Sequence, residues 1–168
     1  MGANMARRLH DLKYQVVAVY DTEASRAETL ANELGCMAAP TPAQVAELAT
    51  TILTVVPDDA AMRHIYAPDK PDSLLQHATN RLFINCATLS PALQTEIHAL
   101  VEKHGGQSLE ACMASSIPQA RQGTLYLMCA GRRDVFEHAT PLLKDLSAHL
   151  RYIGPAGDAA KVKALVNM

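Results

Sequence analysis

Hydrophobic and polar positions along this chain switch repeatedly between a helical period and a strand period. At the start, Met5, Leu9 and Leu12 fall on one helical stripe. Gln15–Tyr20 (QVVAVY) is then an apolar run of strand length that ends at Asp21. Thr22–Leu34 returns to the helical period and meets Gly35, a C-terminal cap. Cys36–Ala39 reads as a short strand. Thr41 then stands as N-cap, Pro42 as the first helical residue and Gln44 as the partner of a capping box. Thr51–Val56 (TILTVV) is a buried strand stopped by Pro57, and a helix is expected from about Asp58 to Tyr66. A proline-rich surface loop, YAPDKPDSLL, enters a short helix.

The second half repeats the alternation. Arg81–Cys86 (RLFINC) is a strand, and Ser90 caps a helix that opens with Pro91 and ends at Gly105 and Gly106. SLEACM and TLYLMCAG are strands separated by a loop or short helix. DVFEHATPLLKDLSAH is a helix that Pro141 is expected to interrupt or delay. LRYIG is the last strand, and GDAAKVKALVNM starts a final helix. Strands alternating with helices predict an α/β fold: a doubly wound, mostly parallel sheet with helices on both faces. Such sheets bind ligands at the carboxyl ends of their strands.

Composition narrows the function classes. The chain has 168 residues, enough for one domain with a core, and 49% of them are hydrophobic. The formal charge of −2 gives no support to nucleic-acid binding. No apolar run approaches the ~20 residues of a membrane span, and no charged-then-apolar leader opens the chain. A cytoplasmic protein with no membrane partner is therefore expected. Cys36, Cys86, Cys112 and Cys129 are scattered, with no C-x-x-C, and read as small buried thiols. The histidines form no H-x-x-x-H or H-x-H pair, so no metal site is expected.

Candidate chemistry lies at three places. Asp21, an acid at a strand end, can accept hydrogen bonds from an adenosine ribose and would repel a 2'-phosphate. It favours NAD over NADP, although the nearby Arg26 keeps NADP possible; the plainer alternative is an aspartate that caps the next helix. Gly2, at a helix start, lets phosphates approach the backbone or lets the helix pack closely on the sheet. Lys163 and Asn167 share a helical face at i, i+4 spacing. The lysine can exchange a proton at a carbonyl or hydroxyl and the asparagine can orient the reacting oxygen. The competing reading is a solvated lysine near a frayed terminus.

Taken together, these stretches resemble the β-hydroxyacid dehydrogenase family, which includes 3-hydroxyisobutyrate dehydrogenase, tartronate semialdehyde reductase and, more distantly, 6-phosphogluconate dehydrogenase. MGANMARRL is similar to the end of the family's G-x-G-x-M-G turn and its first helix. VVPDDAAMRHI is similar to the segment lining the cofactor cleft, and INCATLSP to the D-x-S-T-x-S-P stretch near the nicotinamide. EACMASSIPQARQGTL resembles the substrate loop, D-A-P-V-S-G-G…G-T-L. IGPAGDAAKVKALVN resembles the segment with the catalytic lysine.

The resemblance implies a Rossmann-like domain over residues 1–153, with residues 154–168 beginning an inter-domain helix. It implies cofactor contacts at Gly2, Asn4, Met5, Asp21, Val56, Pro57 and Thr88. It assigns catalysis to Lys163, with Asn167, and a substrate carboxylate to Ala114, Ser115 and Ser116. The family's first strand and paired glycines have no counterpart here, nor does the helical domain that follows in the family and makes the dimer. The full-length form is therefore expected to be a homo-oligomer. The strands QVVAVY and TILTVV are each expected to lack a neighbour, leaving these residues alone poorly stable and inactive.

The chain also departs from the family pattern. Ala114, Ser115 and Ser116 stand for Ser-Gly-Gly, and Asn85 and Ala87 for Asp and Ser. Val166 replaces an asparagine and Ala159 a glycine. The leading expectation is an NAD(P)-dependent oxidoreductase acting on a small hydroxy acid or its oxo form. The alternatives are a non-catalytic dinucleotide-binding or assembly module with a drifted substrate loop, and an imine reductase, a class that usually lacks the lysine.

Overall fold

The computed structural model describes residues 1–166. The chain opens with α1 (Gly2–Asp11), β1 (Ala18–Val19), α2 (Ala24–Leu34), β2 (Met37–Ala38) and α3 (Pro42–Leu48). It continues through β3 (Thr51–Thr54), α4 (Asp59–Ile65), a 3-10 turn (Leu74–His77), β4 (Leu82–Asn85) and α5 (Pro91–Lys103). The last third holds β5 (Gln107–Met113), α6 (Ile117–Gln122), β6 (Leu125–Gly131), α7 (Arg133–Leu146), β7 (Ser147–Gly154) and α8 (Asp158–Val166).

Local chemistry explains most boundaries. Thr41, Asp58 and Ser90 each accept a hydrogen bond from a backbone N–H in the first turn of α3, α4 and α5. Gly35 closes α2 in the left-handed region. The reciprocal capping box forms between Ser116 and Gln119 at the start of α6.

The sheet is in two pieces. β3-β4-β5-β6-β7 form a five-stranded sheet, while β1 and β2 pair only with each other. β3, β4 and β5 run parallel, β6 is antiparallel to β5, and β7 is parallel to β6. Several expectations change at this level. The helix expected through His149 stops at Leu146, and residues 147–149 join β7. The run Gln15–Tyr20 yields a ladder only at Ala18–Val19, because it has a partner on one side alone. Leu12 leaves the apolar stripe: it is the C-cap of α1 and 37% exposed. Pro141 does not break α7, which runs through it. Pro141 and Glu137 both lie on the exposed side, where the carbonyl that loses its amide partner can meet water.

Alternating strand residues feed separate cores. On one face Leu109, Ala111, Leu125 and Leu127 pack with Met5 and Leu9 of α1 and Val135, Leu143 and Leu146 of α7. On the other, Phe83 packs with Met62 and Tyr66 of the α4 region and Leu93, Ile97 and Val101 of α5. Beside it, Cys112, Met128 and Ala130 receive Ala159 and Ala160 of α8. All four cysteines are unbridged; Cys86, Cys112 and Cys129 are buried, and burial pushes the Cys86 thiol up to about 12. Among the described residues, no helix is long and apolar enough to cross a membrane.

Candidate active site

Because β3, β4 and β5 are parallel, the segments that follow them gather at one edge of the sheet. These are Val55–Asp58, Cys86–Ser90 and Ala114–Ser116. Three of the expected contact residues thus share this edge: Val56 is half-buried against the second core, and Pro57 and Thr88 are exposed. The edge is braced by Asp59, which accepts hydrogen bonds from both the N–H and the hydroxyl of Ser90. Those bonds hold the Asp59 carboxyl below the usual carboxylate range.

α1 enters the same edge. A Cβ built on Gly2 would lie 3.4 Å from Cβ of Val55, ordinary van der Waals contact, so the helix start lies against the segment after β3 without that packing requiring a glycine. No side chain caps α1, and its first turn holds no acid. Asn4 donates weakly to the Ile117 carbonyl at 3.5 Å and accepts from Arg7 at 3.0 Å. Met5 turns inward: its side chain is 2% exposed in the first core and its N–H bonds the Met1 carbonyl. Asp21 follows β1 and is exposed, with one carboxylate oxygen accepting the Glu23 N–H at 2.9 Å. That bond closes a local turn before α2, whose N-cap is Glu23 without a side-chain capping bond, so Asp21 is not the cap of the next helix. Arg26 pairs with Glu23.

The substrate-loop residues are tied into local structure. Ala114 donates its N–H to the Tyr126 carbonyl, and Ser115 Oγ accepts the Tyr126 N–H at 2.7 Å. Ser115 thus keeps its hydroxyl proton as a donor. Ser116 Oγ both donates to Gln119 Oε1 and takes the helix-capping bond, which leaves it little further capacity.

α8 climbs toward this edge from the opposite one. β7 ends level with the start of β5, across β6, at the far end of the sheet. The helix then runs along β5: Ala159 and Ala160 pack on Cys112, while Val162 and Ala114 lie against the same cluster. Lys163, one turn beyond Ala160, is 8% exposed. It is not the solvated side chain its position near a terminus suggested. Lys161 is exposed and pairs with Asp158 at 2.8 Å. Asn167 lies outside the described residues.

The start of α8 admits only glycine. Gly157 has φ +93°, and a Cβ there would meet Thr95 Oγ1 at 2.8 Å and the Pro91 carbonyl at 3.1 Å. Two amides at this helix start, those of Gly157 and Ala160, are satisfied by Glu110, which sits in the middle of β5. Sequence reasoning assigned Glu110 no role. An acid inside the apolar run SLEACM was the signal, since a buried carboxylate needs donors. A second unassigned cluster centres on Asn85, whose Oδ1 accepts from Thr54 (2.8 Å) and Tyr66 (3.0 Å) and whose amide donates to Ser108 (3.3 Å). Asn85 thus ties together the ends of β3 and β4 and the body of β5 from within the protein.

A sequence profile of the NAD-binding domain of 6-phosphogluconate dehydrogenase matches residues 1–154. The chain belongs to this family. It is 29% identical to mouse mitochondrial 3-hydroxyisobutyrate dehydrogenase over 168 residues, which is 100% of this chain and 49% of the relative. It spans about half the length of the curated relatives it matches. Among solved structures, 3-hydroxyisobutyrate dehydrogenase from Mycobacterium tuberculosis with L-serine superposes with a TM-score of 0.88 at 29% identity, covering 99% of this chain and 55% of that one. An imine reductase from Myxococcus stipitatus, solved as its V8 variant with NAD+, shares the fold: TM-score 0.89 at 21% identity, over 99% of this chain and 56% of that one.

An α1 start without a capping side chain, a glycine at its first position and an exposed acid after β1 suit a dinucleotide.

Proposed function

We propose that this domain serves an NAD(P)-dependent oxidoreductase that moves a hydride between nicotinamide and a small hydroxy acid or its oxo form. The observation that carries the reading is the burial of Lys163 on a helix led along β5 toward the edge where the segments after β3, β4 and β5 meet. When bound, the nicotinamide accepts the hydride in oxidation and supplies it in reduction. Gly2 and the first turn of α1 receive the pyrophosphate, Asp21 accepts from the adenosine ribose, and Asn4, Met5, Val56, Pro57 and Thr88 belong to the cleft wall. In this wall Met5 contributes through the packing beneath it.

Lys163 takes the proton of the substrate hydroxyl during oxidation and returns it to the carbonyl oxygen during reduction. Asn167 orients that oxygen. The substrate carboxylate lies at Ala114, Ser115 and Ser116, with Ser115 as the hydroxyl donor because, among the described residues, its Oγ is an acceptor only.

Two experiments test this in the full-length protein that carries the domain. Lys163→Ala is expected to lower turnover by ~10²–10⁴-fold with cofactor binding preserved, the usual contribution of a positioned acid or base. 3-Hydroxyisobutyrate and L-serine are the first substrates to assay. Unchanged turnover moves the role to another group, with Lys161 next. Asp21 is expected to favour NAD over NADP by about tenfold or more, the worth of one charge-assisted hydrogen bond. Asp21→Ala should remove most of that preference, and equal affinities in the unmutated protein would refute the assignment.

A further inference from the structure

Glu110 is 3% exposed in β5, opposite Asn85 on β4 and Ala130 on β6. One carboxylate oxygen accepts the Gly157 N–H at 2.9 Å and the other accepts the Ala160 N–H at 2.6 Å. Gly157 immediately precedes α8 and Ala160 is the third residue of the helix. At α3, α4 and α5 a Ser, Thr or Asp side chain at the N-cap satisfies such a third-residue amide. Here that solution is closed. The φ of Gly157 and the nearness of Thr95 and Pro91 require a residue without a side chain.

We propose that Glu110 is the positioning residue of the Lys163 site: reaching from the neighbouring strand, it caps α8 and fixes the height and rotation of the face that carries the lysine. Ala160 and Lys163 are three apart and both buried, so they stack on one face of the helix. A bond that locates the Ala160 amide therefore locates the base of the Lys163 side chain one turn further on. Thr95 of α5 lies against the same turn: its hydroxyl donates to the Pro91 carbonyl at 3.1 Å, with the Ala156 carbonyl 3.4 Å away. The positioning role rests on the proton-transfer reading of Lys163; the cap does not.

The ionised state of Glu110 is a balance. Burial raises its carboxyl above the ordinary carboxylate range, and the two backbone amides and the Cys112 thiol oppose that rise. The titratable groups facing it are Cys112 on β5, Cys129 on β6 and Asp158 on α8.

The test uses the full-length protein and three readouts. First, in the unmutated protein, the amide protons of Gly157 and Ala160 are followed by NMR as pH is lowered. They should titrate together, at a pH above the ordinary carboxylate range; independent or absent titration overturns the cap without any risk from a misfolded variant. Second, Glu110→Gln keeps one acceptor oxygen and turns an NH₂ toward the other amide. Hydrogen exchange at one or both of Gly157 and Ala160 should rise about tenfold or more, while the β5–β6 ladder keeps its protection. Unchanged exchange in a folded Glu110→Gln protein overturns the proposal. Third, kcat of Glu110→Gln should fall with the cofactor dissociation constant unchanged. Faster exchange with an unchanged kcat, in a protein where Lys163→Ala is inactive, overturns the positioning role. Undiminished turnover in Lys163→Ala refutes the proton-transfer reading and the positioning role with it, and the first two readouts then decide the cap alone.

Discussion

The two sheets of this domain are built from similar apolar runs but reach very different depths. Every residue of β4 is buried, as are the inner residues of β5 and most of β6. β1 is only half-buried, and β2 has one exposed and one half-buried residue. Yet VVAV is as apolar as LFI. What separates them is neighbours. β4 is hydrogen-bonded on both sides and covered on both faces, whereas β1 has one partner, β2. Strand length and burial are therefore properties of the assembly and only partly of the segment.

The polar links differ in the same way. The large sheet is tied internally by Asn85, buried with Thr54, Tyr66 and Ser108. The helix beside the small sheet is tied externally, by the ion pair between Arg7 of α1 and Glu33 of α2. The catalytic reading inherits this division: Lys163 and the substrate loop rest on the deep sheet, and Asp21 follows the shallow one.

The largest test of this contrast is a pair of core truncations. Leu109→Ala, in β5, removes a side chain with no exposed surface and should cost ~2–5 kcal/mol. Val17→Ala, beside β1, removes a half-buried group and should cost well under half as much. Urea unfolding of both variants measures the difference. Equal losses would mean that the two sheets share one core.

The next effect concerns the internal tie. Asn85→Leu leaves the hydroxyls of Thr54, Tyr66 and Ser108 without their shared partner. Each unsatisfied buried group costs ~1–3 kcal/mol, offset in part where a hydroxyl turns to another acceptor. A loss of about 2 kcal/mol or more in a thermal melt is expected. A neutral result would show that water or neighbouring carbonyls take over these bonds.

The division between deep and shallow also marks what could be read from sequence. Helix starts were legible at Thr41, Asp58 and Ser90, because the capping bond spans only three residues. The C-cap at Gly35 was legible for the same reason. The extent of the QVVAVY strand was not, because it depends on a neighbour. Pro141 misled because a helix tolerates proline where its freed carbonyl can reach water. In the candidate site, the order of motifs along the chain indicated the carboxyl edge and the lysine helix. Glu110 stayed hidden because its partner amides lie 47 and 50 residues away. The commitments of the Ser115 and Ser116 hydroxyls were hidden too, since they depend on the fold of the loop.

Two carboxylates of the large sheet's surroundings should respond to pH with opposite signs. Asp59 has its carboxyl lowered, first by the Ser90 hydroxyl and then by the Ser90 N–H. A lowered folded value means that its contribution is present above the ordinary carboxylate range and is lost as pH falls through the folded value. Glu110 is raised, with burial as the leading cause. Its contribution is fully present below the ordinary range and is lost as pH rises through the raised value. Melts from about pH 3 to 7 separate them. The stability gap between the unmutated protein and Asp59→Asn should shrink toward low pH. The corresponding gap for Glu110→Gln should grow in favour of the unmutated protein as pH falls from neutrality. The same trend in both variants would contradict the assigned causes.

The smallest expected effect is at the external tie. Arg7 reaches Glu33 through two parallel bonds of 2.7 Å, and Glu33 also faces Arg121. The geometry is bidentate, but both side chains are substantially exposed, so water and salt compete for them. Arg7→Met, which retains the apolar stem, should leave global unfolding almost unchanged. Its effect should instead be local. α2 is the element between β1 and β2, so loosening it from α1 should speed exchange of the Met37 and Ala39 amides, which bond the Val17 and Val19 carbonyls. Amides deep in β4 should not respond. Raising salt in the unmutated protein should reproduce part of the same change, because screening weakens exposed pairs and spares buried polar ties such as that of Asn85. If Arg7→Met speeds exchange in β4 as much as at Met37, the two sheets open as one cooperative unit and the distinction between deep and shallow does not extend to their dynamics.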